Sequence, residues 1–325
     1  MRNKNMKAIV IYEAGGPEKL VYTEVPVPEV KPGWSLVRII GRGVNHSEIF
    51  TRDGQSPSVT FPRILGIECV GMIAESTDPA RLPVGEKVIS IMGEMGRAFD
   101  GGYAEYALLR RSNTVVVPDD VSWSWAELGA FPETYLTAWG SLFECLQLEP
   151  GDTLLVRGAT CGLGYVAIQL AKALRVRVLA TTHRETKLDL LLQAGADEAI
   201  LDQGPLAGDG PLANKVLDLI GPRDLLDTLR LAEHGGIVCT TGILGKVYAL
   251  DGFDPIKDIP NGVYLTGFFS NYPTQAVMDA IFDFLSAYEI TPRYGARFDF
   301  RDIREACIAL DSGRVNGKIV VTMGE

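Results

Sequence analysis

The turn Gly158-Ala159-Thr160-Cys161-Gly162-Leu163-Gly164 separates a strand-like apolar run, 153–157, from a run with helical patterning. A strand that feeds a helix through such a turn exposes the first unpaired N–H groups of the helix. Those groups and the helix dipole attract an anion such as a pyrophosphate. The strict G-x-G-x-x-G pattern is not met: Ala159 and Cys161 stand at its first two glycine positions and Gly164 at its last. Gly164, Ala167, Ile168, Ala171 and Leu174 form a small or apolar helix face suited to close packing on a sheet. A tight strand–helix corner without a ligand would show the same glycines.

The next strand-like run, 176–181, leads into Thr182-His183-Arg184, with Lys187 following and Glu185 the nearest acid. Sites that take NAD usually place Asp or Glu here for the ribose 2′-hydroxyl, whereas NADP sites use a basic residue. Arg184 and Lys187 could clamp a 2′-phosphate, with Thr182 donating a hydrogen bond. The residues therefore point to NADPH. A solvated, charged helix start is the competing account.

The elements that must position these groups fall into two textures. Residues 7–120 hold short runs rich in Val, Ile, Gly and Pro, such as KAIVIYEA, SLVRIIGRGVN, ECVGMIAEST, EKVISIM and YAEYALLR. They read as strands of a β-rich, barrel-type domain. From Trp123, SWAELGAF and ETYLTAWGSLFECL have helical spacing. Strands at 153–157, 176–181, 199–201, 216–220, 237–241 and 263–268 then alternate with helices, including one at 185–194 ended by Gly195. That alternation predicts a doubly wound parallel sheet. Residues 202–214, DQGPLAGDGPLAN, read as a loop where a crossover helix is expected. The helix QAVMDAIFDFLSA follows. RYGARFDF, DIREACIAL and KIVVTM then return the chain to the first domain. The expected fold class is α/β, with one domain of 1–126 and 291–325 and a nucleotide-binding domain of 127–290.

The length of 325 residues favours two domains. No apolar run approaches the roughly 18 residues of a spanning helix, and the start MRNKNMKAIV lacks signal-peptide features. Met6 could be the functional start, with the first five residues a frayed extension. A net charge of −10 argues against nucleic-acid or anionic-membrane partners. Cys69, Cys145, Cys161, Cys239 and Cys307 are scattered, which fits reduced thiols in the cytoplasm rather than disulfides or structural zinc.

The chain resembles the medium-chain dehydrogenase/reductase superfamily, in its zinc-independent NADPH quinone oxidoreductase (zeta-crystallin-like) branch. The markers are Gly43-Val44-Asn45, Leu65-Gly66-Ile67-Glu68, Val84-Gly85-Glu86-Lys87-Val88 and Gly101-Gly102-Tyr103-Ala104-Glu105-Tyr106. Leu136-Thr137-Ala138-Trp139, Pro150-Gly151-Asp152, Gly195-Ala196-Asp197 and Gly317-Lys318-Ile319-Val320 complete them, in family order. The resemblance implies a GroES-like β-barrel domain and a Rossmann domain, with the active site in the cleft between them. Zinc-dependent relatives carry Cys and His where this chain has Asn45 and Ile67, and 132–135 holds neither residue type. No metal is expected.

The resemblance implies hydride transfer from NADPH to a small-molecule electron acceptor, a quinone or an α,β-unsaturated carbonyl. Asn45, at the metal-ligand position, becomes a candidate to orient substrate or nicotinamide, or else a turn residue satisfying backbone groups. His46 is a candidate proton donor or a hydrogen-bonded cleft residue. Thr137 stands where the family places a hydroxyl near the nicotinamide, or bonds its own helix. Gly242 and Lys318 join the expected cofactor contacts. Glu48 and Lys318 are expected to form a structural ion pair. The segment IFTRDGQSPSV has no tyrosine of the kind some enoyl-thioester reductases use as donor. The alternatives are an enone- or enoyl-specific reductase and a non-enzymatic NADPH-binding protein of sensing or structural role. A homodimer through an edge strand at 263–268 is expected.

Overall fold

A computed structural model describes residues 4–323 except 209, 211 and 272. Of the expected frayed extension, residues 1–3 lie outside the described residues, whereas Asn5 is not frayed but pairs with Pro26 in a strand. The chain divides into two compact units, 1–136 with 270–325, and 137–269.

In the first unit, apolar alternation builds β1 (Asn5–Ile11), β2 (Leu20–Pro26) and the long β3 (Trp34–Val44), which runs into helix α1 (His46–Arg52). Then come β4 (Arg63–Ile64), β5 (Glu68–Ser76), β6 (Lys87–Ile91), β7 (Tyr106–Arg110) and β8 (Thr114–Val116). Helices α2 (Trp125–Ala130) and α3 (Pro132–Trp139) follow. Ser124 caps α2, and its hydroxyl accepts the Glu127 amide.

The second unit carries β9 (Thr153–Arg157), α4 (Gly162–Ala173), β10 (Arg177–Thr182), α5 (Leu188–Gln193) and β11 (Glu198–Leu201). It continues with β12 (Ala213–Asp218), α6 (Leu225–Leu229), β13 (Ala232–Thr240), α7 (Pro255–Asp258) and β14 (Tyr264–Gly267). The first unit is completed by α8 (Gln275–Ala287), β15 (Ala296–Asp299), α9 (Ile303–Asp311) and β16 (Ile319–Thr322).

The six strands of the second unit pair in the order β11-β10-β9-β12-β13-β14, all parallel. Counted within that sheet, this is the 3-2-1-4-5-6 order of doubly wound dinucleotide folds. Buried Leu154, Leu155, Val156, Val178, Leu179, Val216, Leu217 and Val238 make the sheet apolar on both faces, as parallel sheets require. In the first unit β15-β16-β3-β5-β6-β8 form one sheet, with β7 also on β3, and β2-β1-β4 form another. The tail returns as expected: β16 pairs antiparallel with the end of β3, Ile319 opposite Val44 and Val320 opposite Gly43.

Three details differ from the sequence expectation. The helix over ETYLTAWGSLFECL is α-helical only to Trp139 and then widens to a π-helix, Gly140–Cys145. A side chain at position 140 would meet the Phe268 ring, which occupies that space. The helix expected at 185–194 is a 3₁₀ turn, Glu185–Lys187, followed by the shorter α5. The segment 202–214 does cross without a described helix, although its residues 209 and 211 lie outside the described residues. The Leu206 and Ala207 amides there donate to the Asp227 carboxylate, and β12 already begins at Ala213.

The division of the chain also differs from the expected 127–290 domain. Helices α2 and α8 belong to the β-rich unit. The Gln275 amide of α8 bonds both the N–H and the C=O of Val116 in β8. Phe282 of α8 stacks on Phe131 with ring centroids 4.6 Å apart, and Trp123 closes the cluster. Hydrophobic spacing alone cannot assign a helix to one domain or another. Phe282→Ala should lower stability by about 3 kcal/mol in urea titration, and a cycle with Phe131→Ala should show a coupling of about 1 kcal/mol.

Candidate active site and cofactor cradle

In the first unit β3 ends at Val44, and Asn45 turns the chain into α1 with an extended backbone (φ −126°, ψ 148°). The Asn45 N–H donates to the Glu48 carboxylate at 3.0 Å, so the backbone of the turn is satisfied from within the helix. The Asn45 side chain turns to two charged partners. Its Nδ2 donates to Glu68 Oε1 at 2.8 Å, and its Oδ1 accepts from Lys318 Nζ at 2.6 Å. Lys318 also donates to Glu68 Oε1 at 2.6 Å, and the Glu133 amide donates to Glu68 Oε2 at 2.8 Å. Glu68 is fully buried and Lys318 nearly so. Gly43 makes room for this triangle: a Cβ there would lie 2.1 Å from Glu68 Oε1 and 2.4 Å from Lys318 Cε.

The expected Glu48–Lys318 pair is corrected. The ammonium meets Glu68, whose strand β5 lies beside β3. Glu48 serves another end: it accepts the Asn45 and Ile67 amides and the Tyr103 hydroxyl. Burial pushes the Glu48 carboxyl and the Tyr103 phenol up from their ordinary values. One buried carboxyl thus pins the backbone at both Asn45 and Ile67. His46 opens α1 and is half-buried.

The second unit assembles the glycine turn as expected. Gly158 has φ +81°, a conformation that favours glycine, and its N–H donates to Thr181 Oγ1 at 3.0 Å. Ala159 donates to the Thr181 carbonyl. Cys161 is the N-cap of α4, its Sγ accepting from Gly164 N at 3.4 Å, and burial pushes its thiol up. A Cβ at Gly164 would lie 2.3 Å from the Ala159 carbonyl, so the helix packs directly against its turn. Gly162 and Leu163 form the first helical positions, where a helix leaves N–H groups without an intrahelical partner. Thr160 and Thr182 hydroxyls sit 3.4 Å apart across the turn. Gly242, beyond β13, donates to the Asp218 carbonyl.

Past β10, the His183 ring accepts from Arg184 Nε at 3.2 Å. Burial, then the charges of Arg184, Lys187 and Arg223, depress the pKa of His183 below the ordinary imidazole value. Burial and Arg184 likewise depress Lys187. His183, Arg184, Lys187 and Arg223 therefore form one electropositive cluster, and Lys187 also feels Cys161 in the turn. Arg223 was not expected, because it comes from the loop after β12. Thr137 is buried on α3. Lys318, expected among the cofactor contacts, lies in the first unit with its ammonium engaged by Asn45 and Glu68.

Sequence reasoning also missed the groups that hold the carboxyl ends of the strands. Arg157 ends β9 and forks onto Asp202, with Nε at 2.9 Å and Nη2 at 3.3 Å, and onto Asp227 at 2.7 Å. Burial opposes its charge, but the two carboxylates outweigh that and raise its proton affinity. An arginine closing the apolar run LLVR was the available signal. Asp218 ends β12, accepts the Ile220 and Gly221 amides and the Thr240 hydroxyl, and is pushed up to about 6 by burial.

Comparison with known proteins agrees with these two architectures. The family described as "Alcohol dehydrogenase GroES-like domain" matches residues 31–119, and "Zinc-binding dehydrogenase" matches 162–287. The mouse quinone oxidoreductase is 30% identical over 260 residues, 75% of each chain. The bovine quinone oxidoreductase-like protein 2 is 26% identical over 98% of this chain and 93% of its own. A quinone oxidoreductase from Pseudomonas syringae has a TM-score of 0.86 at 26% identity, covering 98% of this chain and 99% of that one. A mycobacterial protein solved in complex with NADPH has a TM-score of 0.84 at 26% identity, with the same coverage.

Asp218 gives a pH test. Its folded pKa of about 6 exceeds the ordinary 3.8, so the native state holds more protons between about pH 4 and pH 6. Its contribution to stability therefore falls as pH rises through that window. Carboxyl-carbon NMR should show a midpoint near pH 6, and Asp218→Asn should remove this segment of the stability profile.

Proposed function

This chain belongs to the quinone oxidoreductase-like members of the medium-chain dehydrogenase/reductase superfamily and is an oxidoreductase; on that premise we propose that it reduces a quinone or α,β-unsaturated carbonyl with NADPH and without zinc. The observation that carries the cofactor choice is the cluster of His183, Arg184 and Lys187 past the end of β10, where an NAD site would place an acid, joined by Arg223 from the loop after β12. The turn 158–164 supplies N–H donors for the pyrophosphate. The quinone named for several relatives supports the acceptor class.

Absence of zinc rests on residue types. Asn45 and Ile67 replace the Cys and His of zinc-binding relatives, and Lys318 already bonds Asn45 and Glu68. Among the described residues no three His, Cys, Asp or Glu side chains converge as a metal site. A cation would have to displace a buried ammonium and find a set of imidazole or thiolate ligands beyond the lone His46.

Bound NADPH supplies the hydride. Asn45 would orient the acceptor oxygen, His46 would pass a proton to the product near neutral pH, and the Thr137 hydroxyl would lie near the nicotinamide. Five free cysteines fit a reducing cytoplasm, and no described helix is long and apolar enough to cross a membrane. We also propose a homodimer through β14, the outer strand of the parallel sheet, where Tyr264 is exposed.

Replacing Arg184, Lys187 and Arg223 together by Ala should raise the Kd for NADPH about 100-fold and leave that for NADH within about twofold. Fluorescence titration of both cofactors reads this, and equal wild-type affinity for the two would overturn NADPH as the cofactor. An acceptor panel followed at the nicotinamide absorbance tests the substrate class. Sedimentation should show a dimer that Tyr264→Lys dissociates; a monomeric wild type would overturn the proposed interface.

A further inference from the structure

We propose that Lys318, acting with Glu68, is a positioning residue for reduction: it fixes and polarises the Asn45 amide so that its remaining Nδ2–H donates to the acceptor's carbonyl oxygen. The inference rests on the proposed carbonyl or quinone reduction.

The hydrogen-bond inventory of one side chain leads to it. A primary amide has two N–H donors and one acceptor oxygen. One Asn45 N–H goes to Glu68 Oε1 and the oxygen is taken by Lys318. Reversing the amide would set its NH2 against an ammonium and its oxygen against a carboxylate, so the two buried charges admit one orientation. The second N–H then points away from Glu68, on a residue that remains half-exposed. No other residue in the triangle is so placed, since Glu68 is fully buried and Lys318 nearly so.

Position alone would make Asn45 a weak donor. The ammonium strengthens it by drawing electron density toward Oδ1, which makes the N–H groups more acidic, and it does so in a dry environment. Gly43 is part of the device, because any side chain there would occupy the space of Glu68 Oε1 and Lys318 Cε. Glu48 contributes from the other side by holding the Asn45 backbone N–H.

The chemistry needs such a donor. Hydride adds to the electron-poor carbon, the π electron pair moves onto the carbonyl oxygen, and the dihydronicotinamide is oxidised. The product is an enolate or a hydroquinone monoanion, which later takes a proton from His46 or water. Asn45 keeps its proton throughout and stabilises the charge that develops on oxygen.

The test uses the purified full chain, NADPH, and a quinone or enone that the wild type turns over. Lys318→Met should lower kcat about 10- to 100-fold, with acceptor KM and NADPH Kd within about threefold. Lys318→Arg should restore most of the rate. Lys318→Met leaves Glu68 buried and unpaired, so Lys318→Met with Glu68→Gln provides a neutral version that folds, and it should be equally slow. On an Asn45→Ala background, Lys318→Met should cost nothing further. In a dead-end complex with NADP⁺ and the enone, the carbonyl stretch should be red-shifted in the wild type and relaxed in both slow variants. A neutral double variant within about twofold of the wild-type kcat, or additive losses with Asn45→Ala, overturns the inference. A wild type that reduces no carbonyl acceptor overturns the parent reading instead, and the inference with it.

Discussion

The buried pair of Lys318 and Glu68 is the constraint around which the β-rich unit is arranged. It joins residues 250 positions apart, one immediately before the last strand and one on β5, across the end of β3. Such a pair is a poor source of net stability, since desolvation consumes most of the Coulomb gain. Losing one partner is another matter, at about 3–5 kcal/mol for the uncompensated charge. The pair therefore acts as a register pin: β16 must return with Lys318 above Gly43, or a full charge is stranded. Once that register is set, Val320 and Gly43 face each other and the Asn45 amide finds both its partners.

The second unit meets a similar demand with a different charge. Its crossover between β11 and β12 has no described helix to cover the strand ends. Arg157 fills that role through its fork, reaching Asp202 at the end of β11 and Asp227 and Thr228 on α6. Five donors in one plane can tie three elements at once, which a lysine could not do. The turn 158–164 follows Arg157 directly, so the fork also fixes where that turn leaves the sheet. The weak glycine pattern at that turn is thereby compensated, because the turn is held by Thr181 and by Gly164 packing rather than by glycine content.

Much of this was legible in the chain. Strand 153–157 and helix QAVMDAIFDFLSA fall where periodicity places them, because both are long apolar patterns bounded by turn residues. The return of KIVVTM to the first unit was legible for the same reason. What was not legible depends on distance in space. The partner of Lys318 was misread as Glu48, since both acids lie near Asn45 in the fold and sequence spacing cannot rank them. The Phe268 ring, 129 residues beyond Trp139, fills the space beside Gly140 where the helix widens, and Phe131 stacks on Phe282 of α8. Arg223 joins the basic cluster from a loop that carries no motif.

That cluster gives the second unit its electrostatic character. The chain as a whole carries a net charge of −10, so a cationic site must be built against the general field. Burial first, and then repulsion from the neighbouring cations, lowers the proton affinity of His183 and Lys187, while Asp202 pulls His183 the other way. Arg223 is steadied by Asp224 and by the charge of Asp202. A phosphate at the ribose 2′ position would relieve that repulsion; a bare hydroxyl would not. The NADPH proposed as cofactor would bring that phosphate beside Arg184, Lys187 and Arg223, where an NAD site would carry an acid for the ribose hydroxyl.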